Sequence, residues 1–264
     1  MLNATIYCWH QLDLRPLSKI EKDVAYYCDL MKQYGQEASL QTIQPAWQFL
    51  RTLMKDRVHD TSKFVGDVLD AQSYAMIEKH SVNVFIWANF YHLAIAYTLG
   101  DYDTAERCSR VCESIADFPF GATDTALMVL FDGLVALSPH NRRNRKWALN
   151  RAKDRLTKLE TWSQHSPLNF LGKSFLLQAS IASYEDDPTA LAKFTCAIAL
   201  SREAGFGWQT ALSNELLAQH LVQTKERPAL PYVEAALEGY EAWGSPCKVH
   251  QVKYVFRSVL LEAK

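Results

Sequence analysis

The stretch Ala190-Leu191-Ala192-Lys193-Phe194-Thr195-Cys196-Ala197-Ile198-Ala199-Leu200-Ser201 decides the fold class. Leu191, Phe194, Ile198 and Ser201 step by three and four residues, which sets them on one face of a helix, with a polar residue ending the stripe. Ala190, Phe194 and Ala197 put one aromatic between two small residues, so a neighbouring helix can approach closely while the ring fills the gap beside it. Asp187-Pro188 precedes the stretch and Gly205 follows it. These are a capping side chain before a proline at the first helical position and a glycine where a helix ends.

The same punctuation recurs outward. Ser166-Pro167 and Ser245-Pro246 read as helix starts, Gly35, Gly100 and Gly244 as helix ends, and Ser18-x-x-Glu21 as a capping box. Leu149, Ala152, Leu156 and Leu159 form a second three-and-four stripe. No stretch alternates with period two. The pattern predicts helices over 2–12, 17–34, 38–55, 68–80, 82–99, 102–117, 121–137, 141–164, 167–185, 188–204, 207–224, 228–243 and 246–262, with a loop around Asp60-Thr61-Ser62 within 56–67. Connections of a few residues force adjacent helices antiparallel.

Composition agrees. The chain has 264 residues, 48% of them hydrophobic, with only 10 Gly and 9 Pro. That is enough apolar material for one large core, and too few turn residues for an all-β fold. Net charge is −1, so no long-range field steers it to nucleic acid or an anionic membrane. Six scattered cysteines without a C-x-x-C pair fit free thiols in a reducing cytosol, hence a cytoplasmic protein. Met1-Leu2-Asn3-Ala4 lacks the features of a signal peptide. Ser81 to Gly100 carries no formal charge, but Asn83, Asn89 and His92 interrupt it. We expect a helix buried within the fold, and no membrane span.

Helix pairs repeat with a period of roughly 38 residues. Phe170 and Trp208 stand soon after helix starts, and Ala197 and Ala235 lie in the second helices of consecutive pairs. The segment Leu99-Gly100-Asp101-Tyr102-Asp103-Thr104-Ala105 resembles the turn inside a tetratricopeptide repeat, where Gly100 ends the first helix and Tyr102 and Ala105 open the second. Ala190-x3-Phe194-x2-Ala197 matches that family's second-helix spacing. The expected fold is therefore all-α, a right-handed α-solenoid of antiparallel helix pairs forming one domain over 1–264.

A closer resemblance spans residues 162–257. It runs through Trp162, Ser166-Pro167-x-Asn169-Phe170-x2-Lys173, Leu176-Leu177-x-Ala179, Phe194-x2-Ala197-Ile198 and Ala211-x2-Asn214-Glu215-Leu216. Tyr240-x2-Trp243-Gly244 and Lys248-Val249 close it. This string resembles the tetratricopeptide-like region of large signalling proteins that carry a kinase-like domain, a regulatory ATPase and often a sensor histidine kinase. Residues 1–161 resemble the preceding part of that region more weakly. Phe194 stands where the family commonly has Tyr, and Ser245-Pro246-Cys247 replaces its usual small-residue run. The resemblance implies a scaffold between catalytic neighbours, in a chain that is part of a longer protein.

Motifs for chemistry have structural readings. Gly172-Lys173-Ser174 echoes the end of a phosphate loop, but Pro167 stands where its first Gly is required and the triplet falls inside a helix. Cys108 and Cys112 share a helix face without further ligands, so we expect buried thiols and no metal. Ser245-x-x-Lys248 matches a serine–lysine spacing, but Ser245 reads as an N-cap. Glu185-Asp186-Asp187 precedes a helix start, where acids favour the dipole. No catalytic set and no cofactor are expected.

The densest local feature is basic: Arg142, Arg143, Arg145, Lys146, Arg151, Lys153, Arg155 and Lys158 on one helix. The apolar stripe at Leu149, Ala152, Leu156 and Leu159 predicts that most of these charges point to solvent, as a solvated outer face. The alternative is a docking patch for an acidic partner, phosphate or RNA. The leading expectation is an interaction module that holds a protein segment, from a partner or a neighbouring domain, in a concave groove of first-helix side chains. The second is a small-ligand effector domain, for which the aromatic content would suit a pocket.

Overall fold

A computed structural model describes residues 8, 10–116, 123–225 and 228–262. Among them the secondary structure is entirely helical: α1 (Leu17–Gln33), α2 (Glu37–Leu53), α3 (Ala71–His80), α4 (Val82–Leu99), α5 (Tyr102–Ala116), α6 (Thr123–Ala136), a 3-10 turn (Pro139–Asn144), α7 (Arg145–His165), α8 (Pro167–Glu185), α9 (Ala190–Glu203), α10 (Gly207–Thr224), α11 (Leu230–Trp243), α12 (Pro246–Val255) and α13 (Arg257–Glu262). Most of the expected helix 2–12 lies outside the described residues, as do 117, 121 and 122.

Consecutive helices pack as pairs, and α4, α6, α8 and α10 also touch in succession, each against the next. These four make an inner layer. The outer helices α5, α7, α9 and α11 cover it. Burial follows from that placement: α4 is apolar nearly all round and is buried from Ala88 to Ala96. It is the one described helix long and apolar enough to cross a membrane. Here it packs against α2, α3, α5, α6 and α12.

Gly100 ends α4 in the left-handed conformation that only glycine adopts without strain. Ala190, Phe194 and Ala197 are all fully or almost fully buried, which is the close approach their spacing predicted. Ala105, Phe170, Tyr240 and Trp243 are buried as well. Pro167 opens α8, and Asn169 Nδ2 reaches back to Ser166 Oγ at 2.9 Å. Asn214 donates to Thr210 O within its own helix at 2.8 Å.

Four local expectations change. Ser18 caps nothing, because α1 begins at Leu17 after Pro16, and Glu21 instead accepts the Trp47 indole N–H at 2.9 Å. Helix 188–204 begins at Ala190, since the Asp187 carboxylate takes the Thr189 N–H and hydroxyl, both at 2.8 Å, in a turn of its own. Helix 141–164 opens as a 3-10 turn and becomes α-helical at Arg145. Helix 246–262 breaks at the buried Phe256.

The two ends of the array meet. Gly207 N donates to Asp13 O at 2.9 Å, and Gln209 N to Asp13 Oδ1 at 3.1 Å. Cys247 N donates to Lys55 O at 3.0 Å, and Ser245 Oγ to Leu53 O at 2.9 Å. So Ser245 stands at an N-cap position, but its hydroxyl ties α12 to the end of α2 instead of capping its own helix. An aromatic chain Tyr97–Phe131–Trp208–Trp243, with centroids 5.6, 5.7 and 6.0 Å apart, joins α4, α6, α10 and α11 through the middle. About 10 Å³ of void remains between these rings and Leu12. The space between these helices is therefore filled here.

Candidate functional site

A cleft of about 460 Å³ opens between the inner helices. Its walls come from the inner helices, because those helices turn the same ends toward one another. Tyr97 of α4 and Tyr102 of α5 form one side, Leu134 and Ser138 the next, and Ser180, Ser183 and Tyr184 of α8 the third. Gln219, His220 and Gln223 of α10 form the fourth, with Phe194 of α9 behind. Arg145 stands at the rim. Its guanidinium lies 5.2 Å from the Tyr184 ring centre, donates to Tyr184 O at 2.8 Å and is 3.6 Å from Asp186.

The lining is polar and mostly uncharged, which is unusual for inner-layer positions. Ser183 Oγ and His220 Nδ1 share a hydrogen bond of 2.9 Å, and the imidazole sits 5.9 Å from the Phe194 ring. The hydroxyls of Tyr184 and Ser138 are buried with no hydrogen-bond partner among the described residues. A buried donor left in that state costs about 1–3 kcal/mol. Burial holds the Tyr97 phenol well above its ordinary range and pushes Tyr102 up to about 12, so both are neutral donors at neutral pH. A serine–histidine pair is also the elementary unit of nucleophilic catalysis. Ser183 lies inside α8, however, where backbone N–H groups are spent on helix bonds and cannot form an oxyanion hole beside it.

Beneath the cleft, sharing Tyr97, Tyr102, Leu216 and Gln219 with its wall, sits a buried charge cluster. Lys248 Nζ donates to Glu215 Oε1 at 2.7 Å, Thr98 O at 2.7 Å and Gln251 Oε1 at 2.8 Å, which occupies all three ammonium hydrogens. Tyr240 OH donates to Glu215 Oε2 at 2.6 Å. Ser245 is engaged elsewhere, so the Ser245-x-x-Lys248 spacing makes no dyad. Glu215 and Tyr240, read from the sequence as repeat positions, are here the partners of that lysine.

The Gly172-Lys173-Ser174 triplet resolves the same way. Lys173 is 1% exposed, 3.6 Å from Asp13, and 4.5 Å from the Phe206 ring centre. Burial lowers its ammonium and raises the Asp13 carboxyl, each by more than their attraction offsets. A Cβ at Gly172 would lie 2.8 Å from Gln209 Nε2 and 3.0 Å from Ser201 Oγ, so a larger residue requires these side-chain ends to shift.

The basic helix is corrected in part. Arg151 and Arg155 do not face solvent. Both converge on Asp132 of α6, Arg151 Nη2 at 2.5 Å from Oδ1 and Arg155 Nε at 2.5 Å from Oδ2, with side chains 10% and 5% exposed. Ser109 hydrogen-bonds the same carboxylate. Burial alone would raise the Asp132 carboxyl, but the two guanidiniums hold it below the ordinary carboxylate range. Hydrophobic spacing missed this because Asp132 lies on another helix. Arg145, Lys146 and Lys153 are exposed and Lys158 half-buried; Lys153 pairs with Glu185 at 2.6 Å. The side chains of Arg142 and Arg143 lie outside the described part.

Cys108 and Cys112 are buried thiols, with Cys112 Sγ 3.6 Å from Ile86 O, and burial pushes Cys108 up to about 12. Of the residues read from the sequence, Tyr102, Phe194 and Arg145 come together at the cleft. Ser180, Ser183, Tyr184, Gln219, His220 and Gln223 were missed. Their signal was polar residues three and four apart near the C-terminal ends of two helices.

The chain matches no protein-family model. No curated protein matches it, and no solved structure does.

Proposed function

We propose that the chain is a non-catalytic binding module whose recognition site is the cleft between α4, α6, α8 and α10, and that its ligand is a short segment of protein. One observation carries this reading. The cleft is walled by uncharged polar side chains, Ser180, Ser183, Gln219 and Gln223 among them, with the charged pair Arg145 and Asp186 and the imidazole of His220 beside them. Neutral donors and acceptors of that kind suit a peptide backbone, which presents one N–H and one C=O per residue. We read the array as a right-handed solenoid of the tetratricopeptide type acting as a cytoplasmic scaffold in a signalling protein. The period near 38 residues, the glycine turn at Gly100 and the Ala190/Phe194/Ala197 packing support that reading.

A second reading has its own support. A volume of about 460 Å³ falls in the range of small-molecule pockets, and the filled aromatic middle bounds the cleft at one end. A small polar effector is the ligand on that reading.

One experiment separates them. A photo-crosslinking residue is placed at Gln223 in the cleft and, as control, at the exposed Glu203 of α9. A protein adduct formed from Gln223 alone supports the first reading. Stabilised melting with a metabolite, together with no adduct, moves the assignment to the second. Equal adducts from both positions, or neither adduct nor stabilisation, overturns the cleft as the site.

A further inference from the structure

A second site lies away from the cleft, in the connection between α2 and α3. This segment, residues 54–70, has no helix or strand of its own. Connections of that length inside a compact fold commonly serve a function. Here the loop is held in one shape along its length. Lys55 O accepts from Cys247 N at 3.0 Å, and Asp56 O from His250 Nδ1 at 2.8 Å. Thr61 O accepts from His92 Nε2 at 2.7 Å, and Thr61 Oγ1 donates to Asp101 at 2.6 Å. Gln48 Oε1 accepts from the Val68 and Leu69 N–H groups at 3.2 and 3.3 Å.

The held loop encloses a cavity of about 210 Å³ whose charged and imidazole lining is Lys55, Arg57, His59, Asp60, Lys63 and His92. The carboxylates of the loop are committed. Asp60 accepts from Ser62 N at 2.9 Å and Ser62 Oγ at 2.6 Å, and Asp70 caps α3 through Ser73 N at 2.7 Å. Asp67 faces Arg51 at 3.4 Å and Lys55 at 3.8 Å, and Asp56 lies 3.7 Å from His250. Arg57 and Lys63 have no carboxylate within ion-pair distance among the described residues. With Lys55 facing Asp67, the lining is left with Arg57 and Lys63 against the single Asp60 carboxylate, a surplus of one positive charge.

We propose that this cavity binds a small phosphate-class oxyanion, either the free anion or a phosphate monoester, with Arg57 and Lys63 as its charged ligands. A forked guanidinium and a point ammonium in one lining are the donor set such an anion needs, and neither has a carboxylate within ion-pair distance among the described residues. His92 is buried, stacked on Phe64 at 5.4 Å, and fixed by Thr61, which gives the cavity a rigid back wall.

Isothermal titration at constant ionic strength tests this with inorganic phosphate, glycerol phosphate and uncharged glycerol, on the full chain. Glycerol gives no heat. Tighter binding of the ester than of inorganic phosphate assigns the monoester, and the reverse assigns the free anion. Arg57→Gln with Lys63→Gln, both exposed positions, weakens binding about tenfold or more while the melting temperature holds. Lys19→Gln with Lys22→Gln on α1 makes the same charge change and leaves binding intact. Failure of both phosphate probes to bind, or equal loss in the two double variants, overturns the proposal.

Discussion

The Trp243 indole N–H donates to the Leu12 carbonyl at 2.8 Å, closing the array across 231 residues of chain. Both groups are buried, and the bond joins the start of the described chain to its last long helix. Trp243→Phe keeps an aromatic ring but leaves that carbonyl unpaired. We expect a loss of about 1–3 kcal/mol in urea unfolding, with the helical content unchanged.

The Asp132 cluster separates structural from surface charge on α7. Asp132→Ala strands two buried guanidiniums and should cost about 3–5 kcal/mol, whereas Lys153→Ala at an exposed pair should cost about 1 kcal/mol or less. The sign with pH follows from the lowered carboxyl. Its contribution is complete above the unfolded value of 3.8 and is lost as pH falls through the still lower folded value. The stability gap between wild type and Asp132→Asn should therefore narrow below pH 3.8 and stay flat above it.

Lys173→Met leaves Asp13 buried without its cation and should destabilise by about 3–5 kcal/mol. Asp13→Asn keeps an oxygen to accept from Gln209 N, so the double variant should recover most of the loss. Additive losses in the double-mutant cycle would show that the two side chains do not act on each other.

Gly239 is placed by helix approach. A Cβ there would lie 2.7 Å from the Ala211 Cβ, so Gly239→Ala should destabilise by about 1–3 kcal/mol despite the roughly 1 kcal/mol gain in helix propensity. Ala211→Gly added to it should restore part of the melting temperature, because the clash is pairwise.

Gln223→Ala removes an amide from the cleft wall without touching the buried network below. Stability should stay within about 0.5 kcal/mol, while capture of ligand at the cleft falls.

Much of the helical frame was legible because it rests on local rules. Three-and-four spacing marked Ala190–Ser201, and Gly100 and Gly244 ended helices where left-handed backbone is needed. The capping reading failed at Ser18, Ser166 and Ser245, none of which caps its helix through its side chain, and the Ser245 hydroxyl bonds instead to Leu53 O, 192 residues away in the chain.

By itself, the sequence determined that this chain is helical, where most helices begin and end, and which faces they bury, since propensity, capping and periodicity act over a few residues. Only the tertiary structure decided which charges are interior. Arg151 and Arg155 read as part of a basic patch, Lys173 as an echo of a phosphate loop and Lys248 as half of a serine–lysine spacing, until Asp132, Asp13 and Glu215 arrive from distant segments to neutralise them. It also decided where space remains. A cleft is the gap left between helices after their ends have met, and no window of neighbouring residues encodes its volume.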